Sequence, residues 1–71
     1  MEGKMFIEEG NDGFVFLVFA VKQKNDVNKL TLDMMGVGLE PLYEPQNMPG
    51  RYESCVICNE KTGIKIVACQ E

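Results

Sequence analysis

Residues Phe14-Val15-Phe16-Leu17-Val18-Phe19-Ala20-Val21 make eight consecutive apolar positions, most of them β-branched or aromatic. A strand with one wet face alternates apolar and polar side chains. This run does not alternate, so both of its faces need cover. In a chain of 71 residues that demand is severe. One small core supplies only a few kcal/mol of net stability, and such chains often lean on a metal, disulfides or a second subunit. The run is also far too short to cross a bilayer as a helix, which takes about 20 residues.

The neighbouring segments supply candidate partners. Lys4 to Glu9 reads as a first strand. Gly10-Asn11-Asp12-Gly13 follows, a turn signal that closes a hairpin if Gly13 takes the left-handed conformation. In that register Phe6 and Val18 share one face of the pair, and Ile7 and Leu17 the other. The first strand is the less apolar of the two and belongs at an edge. After the polar break Lys22 to Asp26, a 3.6-residue period sets Val27, Leu30, Met34 and Met35 on one face of a helix over residues 26–35. Asn25 or Asp26 serves as its N-cap, Gly36 as its C-terminal cap, and Val37 packs back. A strand through Leu30-Thr31-Leu32 is the competing reading.

Residues 40–50 carry three prolines within nine positions (41, 45 and 49). Helix and central strand are excluded there, and a long loop anchored on the sheet by Leu42, Tyr43 and Met48 is expected. A second hairpin joins Arg51–Asn59 to Ile64–Gln70 through Lys61-Thr62-Gly63, again with Gly63 left-handed. That register opposes Cys55 to Cys69, Ile57 to Val67, and Cys58 to Ile66. It places Val56, Cys58, Ile64, Ile66 and Ala68 on the core side.

The charge is −4, and no stretch is rich in Lys or Arg. Nucleic-acid binding by phosphate neutralisation is therefore disfavoured. No basic, apolar, small-residue leader opens the chain, which points to a cytoplasmic protein without membrane attachment. The cysteines Cys55, Cys58 and Cys69 are odd in number, which argues against a disulfide framework in a reducing compartment. Zinc wants four thiolate or imidazole ligands, whereas this chain offers three cysteines and no histidine. Cys55-Val56-Ile57-Cys58 lies in a strand, where positions three apart point to opposite faces and cannot share one ion. A redox CxxC site needs a helix N-terminus, and turn residues follow here instead. The expected arrangement is Cys58 buried and Cys55 beside Cys69 on the outer face.

Catalysis fares no better. Without histidine there is no general base near neutral pH of the usual kind and no Ser-His or Cys-His pair. Glu8, Glu9 and Asp12 flank a tight turn and read as solvated charges. Gly36-Val37-Gly38 lacks the strand-to-helix context of a phosphate loop. No cofactor is expected.

The resulting expectation is one α+β domain over residues 1–71: two β-hairpins joined by a short helix (ββαββ) in an antiparallel sheet, or else a five-stranded small β-barrel. One helix covers one face only, so a homodimer or another protein is expected on the other. The functional expectation is a small acidic, non-enzymatic protein–protein interaction module, an inhibitor or adaptor of phage or mobile-element type. Its partner contacts are expected at Phe14, Phe16, Leu42, Tyr43 and Met48. The alternative is a small zinc or thiol module using Cys55, Cys58 and Cys69.

Overall fold

A computed structural model of the chain describes residues 4–10 and 12–69. Asn11 of the first turn, Gln70 at the expected end of the last strand, and residues 1–3 lie outside the described residues. The elements are β1 (Lys4–Glu9), β2 (Val15–Val21), α1 (Lys24–Gly36), β3 (Glu40–Met48), β4 (Arg51–Asn59) and β5 (Thr62–Cys69). They form a small α+β fold. The five strands make one sheet in the order β1-β2-β5-β4-β3, with the helix on one side.

The first hairpin forms as its turn chemistry requires. Gly13 is left-handed (φ 85°), and the Gly10 N–H donates to the Phe14 carbonyl at 2.6 Å. Phe6 faces Val18 and Ile7 faces Leu17, and β1 lies at the sheet edge.

The antiparallel ββαββ expectation needs correction. The two hairpins are both present, but they join through a parallel pairing of β2 with β5, which makes the sheet mixed. The sheet is not closed into a barrel. β5 is the central strand, and its neighbours supply cover at both sides. An unbroken apolar run such as β2 suits a parallel neighbour, because parallel pairs lie in the buried interior of a sheet.

The proline-rich segment is not a loop. It is an edge strand, broken in register between Pro41 and Tyr43 and between Tyr43 and Gln46. Proline is tolerated at an edge, where a missing N–H takes no bond from a neighbour.

The second hairpin is tighter than expected. Only Glu60 and Lys61 separate its strands, and Asn59 Oδ1 accepts the Lys61 N–H at 2.9 Å. The register therefore shifts, with a break between Ile57 and Asn59. Cys55 faces Lys65, Ile57 faces Gly63, and Ser54 rather than Cys58 faces Ile66. Gly63 is not left-handed. It is needed for space: a Cβ there would meet the Phe16 ring at 3.0 Å and the Val56 carbonyl at 3.1 Å.

The helix begins earlier than its side-chain signals. Gln23 is the N-cap without a side-chain bond, and Asp26 sits in the first turn, where a negative charge suits the helix dipole. At the other end Gly38, not Gly36, is the left-handed residue (φ 105°). Its N–H reaches the Met35 carbonyl at 3.0 Å, and the Leu39 N–H reaches the Met34 carbonyl at 3.1 Å. This is the Schellman pattern, displaced by two residues from the expected cap. Val37 is 79% exposed instead of packing back.

The main core lies between α1 and the sheet. Val21, Val27, Ile66 and Ala68 are buried together, with Leu30, Met34, Tyr52 and Ile64 packed against them. Met35, expected on this face, is exposed. Thr31 takes a place in it instead. Its hydroxyl donates to the Val27 carbonyl at 2.5 Å and lies 2.6 Å from Ser54 Oγ. Thr31 has one proton, so Ser54 must be the donor between the two. A further tie runs from Tyr52 Oη to Asn28 Oδ1 at 2.9 Å.

Replacing Thr31 by Val strands the buried Ser54 hydroxyl. The expected loss is about 1–3 kcal/mol by urea denaturation, with much of it recovered in the Thr31→Val, Ser54→Ala double variant. A double variant no more stable than Thr31→Val shows that packing, not the hydrogen bond, sets the cost.

Candidate functional site

The helix does not cover the sheet evenly. It packs chiefly on β4 and β5, touches β3 and β2, and, among the described residues, does not reach β1. On the helix side of the sheet, Met5 lies beside Phe19 and Phe19 beside Ile66, while Ile7 lies beside Leu17 and Leu17 beside Ile64. Ile66 is buried under α1. At the far end of the same rows Met5 is 61% and Ile7 63% exposed. Leu17 and Phe19 are half-buried between them. On the opposite face of β1, Phe6 is 44% exposed.

β1 is also an open sheet edge. Gly10 and Phe14 form a hydrogen-bonded pair, and such pairs alternate along an antiparallel ladder. Glu8, Phe6 and Lys4 therefore point their backbone groups at β2. The N–H and C=O groups of Met5, Ile7 and Glu9 point away from the sheet. The two edges are built differently. β3 has Pro41 and Pro45 and two breaks in register. β1 has neither proline nor bulge, and its centre is Met-Phe-Ile. Natural sheets blunt exposed edges by the devices seen in β3.

The face away from the helix closes with the chain's own residues. Val18, Val67 and Cys55 are buried there, although among the described residues no element lies over them. Lys65 bridges Glu8 at 2.9 Å and stands 4.5 Å from the Phe16 ring centre. The Glu53 carboxylate is buried, accepts the Tyr43 hydroxyl, and contacts Arg51 Nε through its other oxygen without hydrogen-bond alignment. Burial, and then the bond to Glu53, raise the Tyr43 phenol well above its usual range. The paired carboxylate ties Tyr43 of β3 to β4 on the face away from the helix.

The expected contact residues do not form one patch. The rings of Phe14 and Phe16 meet tilted at 4.8 Å between centres, and Lys65 stands over the Phe16 ring. Tyr43 shares the Phe16 face, but on β3, at the opposite edge of the sheet. Leu42 is exposed on β3, and Met48 lies half-buried near Pro49, Arg51 and Glu53. The exposed centre of β1, Met5-Phe6-Ile7, was not among the expected contacts. Its signal was available: an edge strand with three adjacent apolar residues and no proline. A hollow of about 330 Å³ lies between α1 and β3, lined by Asn28, Thr31, Leu32, Met35, Glu44 and Pro45.

The thiols are also arranged differently from the expectation. Cys55 is buried, whereas Cys58 and Cys69 are exposed; Cys69 faces Arg51 across the sheet. The shifted hairpin register separates Cys55 from Cys69. Among the described residues no three Cys, Asp or Glu side chains gather where they could hold a metal ion. Burial pushes the Cys55 thiol up to about 11.

No family model, curated protein or solved structure matches this chain. The reading of the site therefore rests on its own geometry. No helix among the described residues is long and apolar enough to cross a membrane.

Two thiols are expected to react rapidly with an aromatic disulfide reagent in the native protein, and the third only on unfolding. Mass mapping is expected to assign the slow one to Cys55. Three equal rates contradict this arrangement. Because Cys55 and Tyr43 both hold their protons more tightly when folded, the stability they favour is full below about pH 9 and falls as pH rises through 11. An alkaline denaturation series with a Cys55→Ala control checks the sign.

Proposed function

We propose that this chain is a small, non-enzymatic protein–protein interaction module that receives an extended polypeptide segment along β1. One observation carries the reading: β3 is blunted by prolines and register breaks, whereas β1 has neither and exposes Met5, Phe6 and Ile7 at its centre, its charges standing at its two ends. Strand addition supplies affinity through main-chain hydrogen bonds, and alternate side chains supply selectivity. The outward groups of Met5, Ile7 and Glu9 provide the bonds. Met5 and Ile7, with Leu17 and Phe19 beside them, provide the apolar floor for the incoming segment.

A module of this kind acts as an adaptor or inhibitor, by occupying or joining sheet edges without chemistry. The small size and the charge of −4 fit a cytoplasmic protein of the phage or mobile-element type. The buried Tyr43–Glu53–Arg51 group and the dispersed cysteines fit a non-catalytic role.

A photocrosslinking residue at position 7 tests the docking edge, with one at position 42 as the control. In cells, position 7 is expected to trap a discrete polypeptide, and position 42 is not. Met5→Pro removes an outward N–H while leaving the β1–β2 bonds in place, and is expected to abolish the adduct. A trap at position 42 alone, or an adduct indifferent to Met5→Pro, contradicts the proposal.

A further inference from the structure

Resting on that reading, we infer that the segment β1 receives is β1 of a second copy, paired antiparallel about a two-fold axis with Phe6 opposite Phe6. The axis stands perpendicular to the sheet, so directly opposed residues must come from the same face. That leaves registers centred on a residue, and three of them overlap well: those centred on Met5, Phe6 or Ile7.

Their chemistry differs sharply. Centred on Met5, Lys4 faces Phe6. Centred on Ile7, Phe6 faces Glu8 and Met5 faces Glu9. Each sets a charge against an apolar side chain. Centred on Phe6, Lys4 faces Glu8 twice by symmetry, Met5 faces Ile7 twice, and Phe6 faces itself. Like meets like or opposite charge at every position from 4 to 8. Opposed charges and apolar pairs stabilise an antiparallel ladder.

The backbone phase agrees. The outward groups belong to Met5 and Ile7, and this register brings those two residues face to face. The Met5 N–H donates to the Ile7 carbonyl of the second copy, and the Ile7 N–H of that copy donates to the Met5 carbonyl. Symmetry repeats the pair. Phe6 and Phe6 then form a non-hydrogen-bonded pair, in which Cα atoms approach to about 4.5 Å and side chains pack closest. Glu8 already holds Lys65 through Oε1, which leaves Oε2 to accept Lys4 of the second copy. The product is one continuous sheet, with the blunted β3 strands at its outer edges.

Native mass spectrometry of charge-swapped chains tests this. Lys4→Glu and Glu8→Lys each place like charges across the axis, so each alone is expected to lose the wild-type dimer. Mixed together they regain complementarity and are expected to form a heterodimer. A second variant does not depend on Glu8. Phe6→Cys, with Cys58→Ser and Cys69→Ser, is expected to form a disulfide dimer on mild oxidation, and the matching Met5→Cys chain is not. Single swaps that stay dimeric, a mixture without heterodimer, or cross-linking at position 5 in place of 6 overturns the register. A wild-type monomer at all soluble concentrations overturns self-pairing. An adduct with another protein at position 7, abolished by Met5→Pro, would then leave only the broader strand-addition reading in force.

Discussion

A single helix is too narrow for this sheet. An α-helix with its side chains is about 10 Å across, and strands lie about 4.8 Å apart, so one helix covers roughly two strands. The sheet has five strands. Placing α1 over β4 and β5 fills the main core and leaves β1 and much of β2 bare on that side. The exposed Met5 and Ile7 and the half-buried Leu17 and Phe19 descend from this mismatch, and the open backbone of β1 adds to them because β1 ends the sheet.

The chain compensates unevenly. On the face without a helix, long side chains bend over their neighbours: Phe16 lies across Gly63, Lys65 ties Glu8, and Tyr43 reaches Glu53. Val18, Val67 and Cys55 are buried beneath this layer without a second element. At the β3 edge, prolines and register breaks discourage pairing. β1 has neither device, and its charged residues, Lys4, Glu8 and Glu9, stand at its two ends. The sheet is closed on one face and blunted at one edge, and Met5 and Ile7 leave apolar surface at the other.

Much of this was legible in the residues. Gly10 to Gly13 specified the first hairpin, its register and its edge strand. The 3.6-residue period found the helix, though its caps moved because backbone bonds at Gln23 and Gly38 replaced the expected side-chain cap and Gly36. Other features depend on contacts distant in sequence. The apolar run of β2 called for cover on both faces, but nothing local says that β5, a parallel neighbour 47 residues further along the chain, supplies part of it. The prolines of β3 exclude a central strand but not an edge strand, where a missing N–H takes no bond from a neighbour. The second hairpin slipped because Asn59 closes a two-residue connection, which moved Cys55 from Cys69 to Lys65 and dispersed the thiols. The exposed centre of β1 is less conspicuous in the sequence than β2, whose longer apolar run is the better buried of the two.

The most direct test is amide hydrogen exchange along β1 at a series of protein concentrations. Phe6, Glu8 and Gly10 bond to β2 and should be protected throughout. The outward amides of Met5 and Ile7 should exchange rapidly in dilute solution and slow as concentration rises, giving an alternating pattern that only strand addition produces. Outward amides that remain fast at every concentration, while the protein still associates, would show that β1 is not the docking edge.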